Sequence, residues 1–493
     1  MKVVKVAVSC VHGARSTLCF VQNGIVEESM ADELRTLCDA LARAGLSGAA
    51  FAREINLRLT ARGLTDRVIH STTPYHWIRS GFMPYEPVPY IAAAVLSEYL
   101  GMTVSVSELW PQHPRSSITT LTAVVGLDGL ATLDDMLRAL GELVALGSGG
   151  EDPVGQSGGF DLVAAVHDDR RVPEPWARRS QHEKVLPSQV DLIAAHVAAL
   201  RRQDDRHGGG VLSLRYITSE LRSILDLVQY ADYERAVGRR LMEIVSDLAQ
   251  LVGWVQFDAG RYGAAERYLL LSERVARAVD DLGRAANAIG MLSYVSAFAG
   301  HGERAIQVAR AAERVCPDNP VLRARTVGRI ATAAAAAGDL VTFRASTENA
   351  QQLLSDHSGD GVPSFLYYLE PDQLVAEQGQ GLVALAKLAT GYQERLLDEA
   401  TRLLAPISAV GARAEYPRSA LLHGCFLTEA HLLRGETEAA VESMRAAIDR
   451  LSEVQSIRGR SYLRRLRFAF TARKRVKVVA AFLPEFDEVL TRT

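Results

Sequence analysis

No apolar run in this 493-residue chain reaches the ~18 residues that a membrane-spanning helix needs. The opening MKVVKVAVSCVHGARSTLCF is broken by His12 and Arg15 before it can form a signal core. The chain therefore reads as cytoplasmic, with no membrane partner. Cysteine is scarce: Cys10, Cys19, Cys38, Cys316 and Cys425 are five in number, scattered, with no Cys-x-x-Cys. That excludes a disulfide framework and fits free thiols in a reducing compartment. An excess of one charge is also missing. Lys and Arg number 55 against 58 Asp and Glu, a net charge of −3, which argues against a protein that coats nucleic acid over its whole surface.

Catalytic patterns are as thin as cysteine. HGGG at 207–210 has neither Gly-Lys-Ser/Thr after it nor a strand before it, and no Gly-x-Ser-x-Gly stands elsewhere, so it reads as a helix-ending turn. Cys10-x-His12 and His423-x-Cys425 are two-ligand fragments without zinc spacing. The pairs Asp168-Asp169 and Asp204-Asp205 read as solvated charge in loops or helix ends. The basic ARKRVK at 472–477 reads as a solvated helix face, although it is able to touch DNA. The expectation is a protein that is not an enzyme, with no catalytic residue, metal or cofactor.

What is present is helix. Apolar residues make up 48% and charged residues 23% of a chain long enough for several domains. Residues 1–29 stand apart as an extra, strand-like or disordered segment. Helical spacing starts at Asp32 and runs to Ala44 through Leu34, Leu37 and Leu41, opening a compact helical unit over 30–110. Residues 111–186 read as a partly flexible linker. It includes GSGGEDPVGQSGG at 147–159 and a short helical pattern over Thr132–Leu146. From 187 to 493 amphipathic helix is almost continuous.

Within the first unit, Ser47 caps a helix from Gly48 to about Arg62, with Phe51, Ile55 and Leu59 on one face. LTDRVIHS follows, its Val68 and Ile69 expected to anchor the turn in the core. Thr72 or Thr73 caps a second helix with Pro74 in its first turn, and Gly81 ends it; another helix covers Ile91–Leu100. From Leu41 to Gly81 six arginines face two acids, 6 − 2 = +4, a local patch suited to a phosphate backbone. Two helices joined by a turn and backed by others describe a helix-turn-helix, whose second helix enters the major groove. On that reading Thr72 and Thr73 meet phosphate or base edges at the helix N-terminus, and Tyr75, His76 and Arg79 share one side. Arg67 adds charge from the connector, and Arg79 suits guanine O6 and N7. Trp77 and Ile78 are expected to pack inward or to wedge against the sugar-phosphate edge.

The second half repeats. Gly260-x-Tyr262-x-x-Ala265, Gly300-x-Gly302-x-x-Ala305, Gly338-x-Leu340-x-x-Phe343 and Gly435-x-Thr437-x-x-Ala440 share one plan, with a degenerate pair expected around Gly391–Leu404. The first spacings, 40 and 38 residues, lie near the ~34 of tetratricopeptide repeats. Helix hairpins that cannot bury their own stripe stack into a superhelix with a concave face. Trp254, Asp258, Asn287, Tyr294 and Phe298 fall on first helices, towards that face, where they suit a peptide, small-molecule or protein effector or simply form repeat core.

TTPYHWIR, the proline-spaced FMPYEPVPYIAAAVLSEYLG and VSVSELW together resemble the lambda-repressor-type (XRE-like) domain of actinobacterial regulators that carry tetratricopeptide-like repeats behind it. The segment 190–221 and SIRGRSYLRRLRFAF at 456–470 are similar to parts of the same proteins. The resemblance spans 31–110 and 185–490; the extra N-terminus and the long connector between the two helices depart from it. It implies an all-α fold, an N-terminal helix-turn-helix domain plus a C-terminal tetratricopeptide-like α-solenoid. It also implies a transcriptional regulator of development or secondary metabolism that binds double-stranded DNA; since one helix-turn-helix reads only a few base pairs, a homodimer formed through the repeats is expected. The competing expectation is a repeat-built adaptor that binds a protein partner and not DNA.

Overall fold

The computed structural model describes residues 36–61, 68–84, 88–100, 104, 106–110, 133–147, 162–166, 184–357, 361–389, 391–409 and 416–492. The expected segment 1–29, Arg67, and 148–159 of the glycine-rich stretch lie outside the described residues. The fold is all-α. Among the described residues there is no strand, only one isolated bridge between Lys184 and Asp232, and no helix is long and apolar enough to cross a membrane.

Five helices make the N-terminal unit: α1 (Leu37–Arg43), α2 (Gly48–Ala61), α3 (Thr73–Ser80), α4 (Val88–Leu100) and α5 (Val106–Leu109). The described part of α1 starts later than the apolar spacing predicts, because Thr36 caps it by accepting from the N–H of Asp39. Ser47 accepts from the Ala50 N–H at 3.2 Å, so α2 begins where expected. Its Phe51, Ile55 and Leu59 are at most 1% exposed, in a core shared with Ile91, Val95 and Leu96 of α4 and with Trp77 of α3.

Two helices from the expected linker, α6 (Leu133–Gly147) and α7 (Leu162–Val166), are not spacers. Leu140, Leu143, Val144 and Leu162 sit in the same core as α9 (Val211–Tyr230) and α10 (Arg235–Asp258). α8 (Pro187–His207) packs on α10, and hairpins follow in strict succession. They are α10 with α11 (Tyr262–Ala278), α12 (Leu282–Phe298) with α13 (Gly302–Val315), and α14 (Pro320–Ala337) with α15 (Leu340–Ser355). Then come α16 (Pro371–Leu388) with α17 (Gln393–Ser408), α18 (Pro417–Arg434) with α19 (Thr437–Ile448), and α20 (Ile457–Thr471) with α21 (Lys477–Arg492).

The four turn glycines expected to open second helices, Gly260, Gly300, Gly338 and Gly435, all have φ between 76° and 86°, and Gly391 of the degenerate pair has φ 87°. Only a residue without Cβ adopts this region at no steric cost, so the repeated glycine is what lets each helix reverse within two or three residues.

Candidate functional site

Two places gather polar capacity. The first is the surface of α3. Pro74 and Trp77 are buried, Trp77 lying edge-on to Trp110 at 6.4 Å, and Trp110 Nε1 donates to the Phe82 carbonyl. The helix is rooted on that side, and Thr72, Tyr75, His76 and Arg79 are exposed on the others, with Thr73 half-buried. Two expectations need correction. Thr72 occupies the N-cap position but does not cap: it is helical (φ −92°, ψ −13°), and its hydroxyl lies 2.8 Å from His70 Nδ1, which also accepts the Thr72 N–H. The N-terminal N–H groups of α3 are therefore left without a side-chain cap. Val68 does not anchor the preceding turn, being 76% exposed. A polar clamp does that instead: Asn56 on α2 donates to the Ile69 carbonyl at 2.8 Å and accepts from the Ile69 N–H at 2.7 Å. Tyr75 leans over Gly48, where a Cβ would come within 2.8 Å of its ring. Part of the local charge is spent, since Arg58 pairs with Glu54 at 2.7 Å; Arg62 and Arg67 are outside the described residues.

The second place is a cavity of about 100 Å³ among the repeats. Its helical walls are α8 and the first helices of the successive hairpins, α10, α12, α14, α16, α18 and α20; no second helix contributes. Of the five residues expected to converge there, Trp254, Asn287, Tyr294 and Phe298 line it. The aromatic members form one cluster with Phe257, with ring centroids 4.5 Å apart for Tyr294 and Phe298 and 5.7 Å for Trp254 and Tyr294. Asp258 does not line it. It is fully buried behind the wall, where its Oδ1 accepts from Arg418 and Ser456.

Around that carboxylate the ends of the repeat array meet. Arg418 on α18 also bonds Asp204 on α8 at 3.0 Å. Tyr367 donates to Asp205, and Gln455 donates to the His207 carbonyl at 2.7 Å. The Asp204-Asp205 pair, expected in solvent, is thus a correction: Asp204 is 2% exposed and Asp205 is half-buried. HGGG is the turn the sequence implies, between α8 and α9, but its glycines serve close approach. A Cβ on Gly209 would fall 2.4 Å from Val255, and one on Gly208 would fall 2.9 Å from Ser456. Burial pushes the Asp204 carboxyl up to about 7, with Asp205 and Asp258 adding and Arg418 opposing. Burial also works to raise Glu377, but Arg325 and Arg329 outweigh it and hold that carboxyl at about 2. Sequence reasoning missed Arg329, Glu377, Arg418 and Arg458, because charged residues inside amphipathic helices look like solvent-facing positions. Among the described residues no His, Cys, Asp and Glu group has metal-binding geometry. The thiols of Cys316 and Cys425 are unbridged.

Residues 37–109 match the family model described as the SP15 N-terminal domain, a span that runs from the start of α1 to the end of α5. No curated protein matches the chain.

Proposed function

We propose that this chain is a cytoplasmic DNA-binding transcriptional regulator of lambda-repressor type, in which α3 enters the major groove and the helical repeats sense a signal and pair two copies. The observation that carries the reading is the two-sidedness of α3. Pro74 and Trp77 fix it to the core while Thr72, Tyr75, His76 and Arg79 stand exposed on an eight-residue helix. The Thr72 and Thr73 N–H groups are spent on His70 and Pro74 has none, which leaves the Tyr75 N–H, without a side-chain cap, to favour a phosphate oxygen. Arg79 has the donor fork that guanine O6 and N7 require. Among the described residues no carboxylate pairs with Arg79. One such unit reads only a few base pairs, so two copies on two half-sites are the natural assembly. The resemblance of the sequence to actinobacterial regulators points to development or secondary metabolism as the process controlled.

Selection of duplexes from a random pool by the full-length chain tests this. Enriched sequences should share a motif with paired half-sites, and Arg79→Ala should relax one base pair of it at a cost of about 1–3 kcal/mol. Recovery of no motif, together with equal recovery by the variant, would leave a protein-binding adaptor as the better account.

A further inference from the structure

The repeat cavity holds a guanidinium that none of its carboxylates hydrogen-bonds. Arg329 on α14 is 4% exposed and lines the cavity, its guanidinium 4.4 Å from the Tyr294 ring centroid. Its carboxylate neighbour, Glu377, stands at 3.9 Å, beyond hydrogen-bond reach, and is already held through both oxygens by Arg325. Arg458 on α20 repeats the arrangement. Its Nε is buried with no hydrogen-bond partner, and the Asp258 Oδ1, 3.6 Å away, accepts instead from Arg418 and Ser456. That guanidinium lies over Phe257 at 4.9 Å and Trp254 at 5.5 Å, rings of the cluster that also holds Tyr294.

A buried guanidinium short of hydrogen bonds is costly, and here buried Arg329 and half-buried Arg458 share one aromatic cluster beside an open volume. Four arginines and three carboxylates line the cavity, a lining that favours an anion. Its size also decides. About 100 Å³ is of the order of the ~150 Å³ that accepts a single benzene ring and suits a small ligand.

We propose that this cavity binds a small aromatic carboxylate, its carboxylate on the guanidinium of Arg329 and its ring against Tyr294 and Trp254. The inference deepens the signal-sensing part of the proposed function and rests on it for biological meaning, while the binding itself requires no DNA.

Calorimetric titration of the full-length protein with benzoate, and with benzamide as its uncharged counterpart, tests it. Benzoate should saturate at one per chain and change the fluorescence of Trp254, and benzamide should bind roughly tenfold or more weakly, the worth of a charge-assisted hydrogen bond. Arg329→Met should lose a similar factor with its helix content intact. Should that variant fail to fold, the benzoate–benzamide difference on the parent protein still decides. Equal binding of the two probes, an Arg329→Met variant that binds benzoate like the parent, or no saturation by about 10 mM would overturn the proposal. A chain that binds benzoate but no DNA sinks only the regulator reading, and one that binds DNA but not benzoate sinks only this one.

Discussion

Arg418 is the residue on which the repeat array closes. It is 3% exposed and reaches Asp204 across 214 residues of sequence and Asp258 across 160. Removing one partner of a buried ionic cluster leaves the other charges uncompensated, so Arg418→Met should cost about 3–5 kcal/mol in urea unfolding. The Asp204 carboxyl adds a pH signature. Burial raises it from an ordinary 3.8 to about 7, so between these values the folded chain holds a proton that the unfolded chain releases. That contribution to stability is fully present below about pH 4, falls as pH rises through the window, and is gone above about pH 7. Asp204→Asn should flatten this slope in urea midpoints measured from pH 4 to 8. None of this was legible in the sequence. Adjacent aspartates near a helix end are normally solvated, and only the folded chain brings Arg418 and Tyr367 to them.

Among the elements, those set by local chemistry were legible and those set by distant packing were not. Ser47, Pro74, Gly81 and the repeat-turn glycines act within a few residues of where they stand, so α2, α3 and the hairpins could be placed from sequence. The anchoring of the α2–α3 connector depends on a side-chain amide thirteen residues away, which hydrophobicity alone does not reveal. Asn56→Ala removes two hydrogen bonds and leaves the Ile69 N–H and carbonyl unpaired. It should destabilise the N-terminal unit by about 1–3 kcal/mol in chemical unfolding and weaken DNA binding through loss of α3 placement. Gly260→Ala isolates a different cost. Nothing lies within 4 Å of the added Cβ, so only its φ of 76° resists, and the loss should be about 1 kcal/mol by the same measurement.

At the scale of the whole molecule, the repeats do not form an open groove. α8 and α18 meet beside a small polar–aromatic chamber. The N-terminal unit touches the same closing region: Tyr99 on α4 lies edge-on to Phe468 on α20 at 6.1 Å. Arg458, at the start of that helix, lines the chamber. α20 thus joins the chamber wall to the N-terminal unit proposed to read DNA, and on that proposal a ligand that prefers one arrangement of α20 would shift the other end. Four of the five expected groove residues reached the chamber, because one face of each first helix in the hairpin stack turns inward, and Asp258 at the end of α10 lies off that face. The chamber's arginines were illegible, since closure is a property of the complete array.

Binding of the full-length chain to its selected duplex, followed by fluorescence anisotropy across a salt series, tests the central claim most directly. The parent should lose affinity steeply and linearly in log–log form as salt rises. A Thr72→Ala, His76→Ala, Arg79→Ala variant should lose both affinity and sequence preference while unfolding at the parent's urea midpoint. A correctly folded triple variant that binds the same duplex with the parent's affinity and salt slope would contradict the assignment of α3 as the DNA-reading helix.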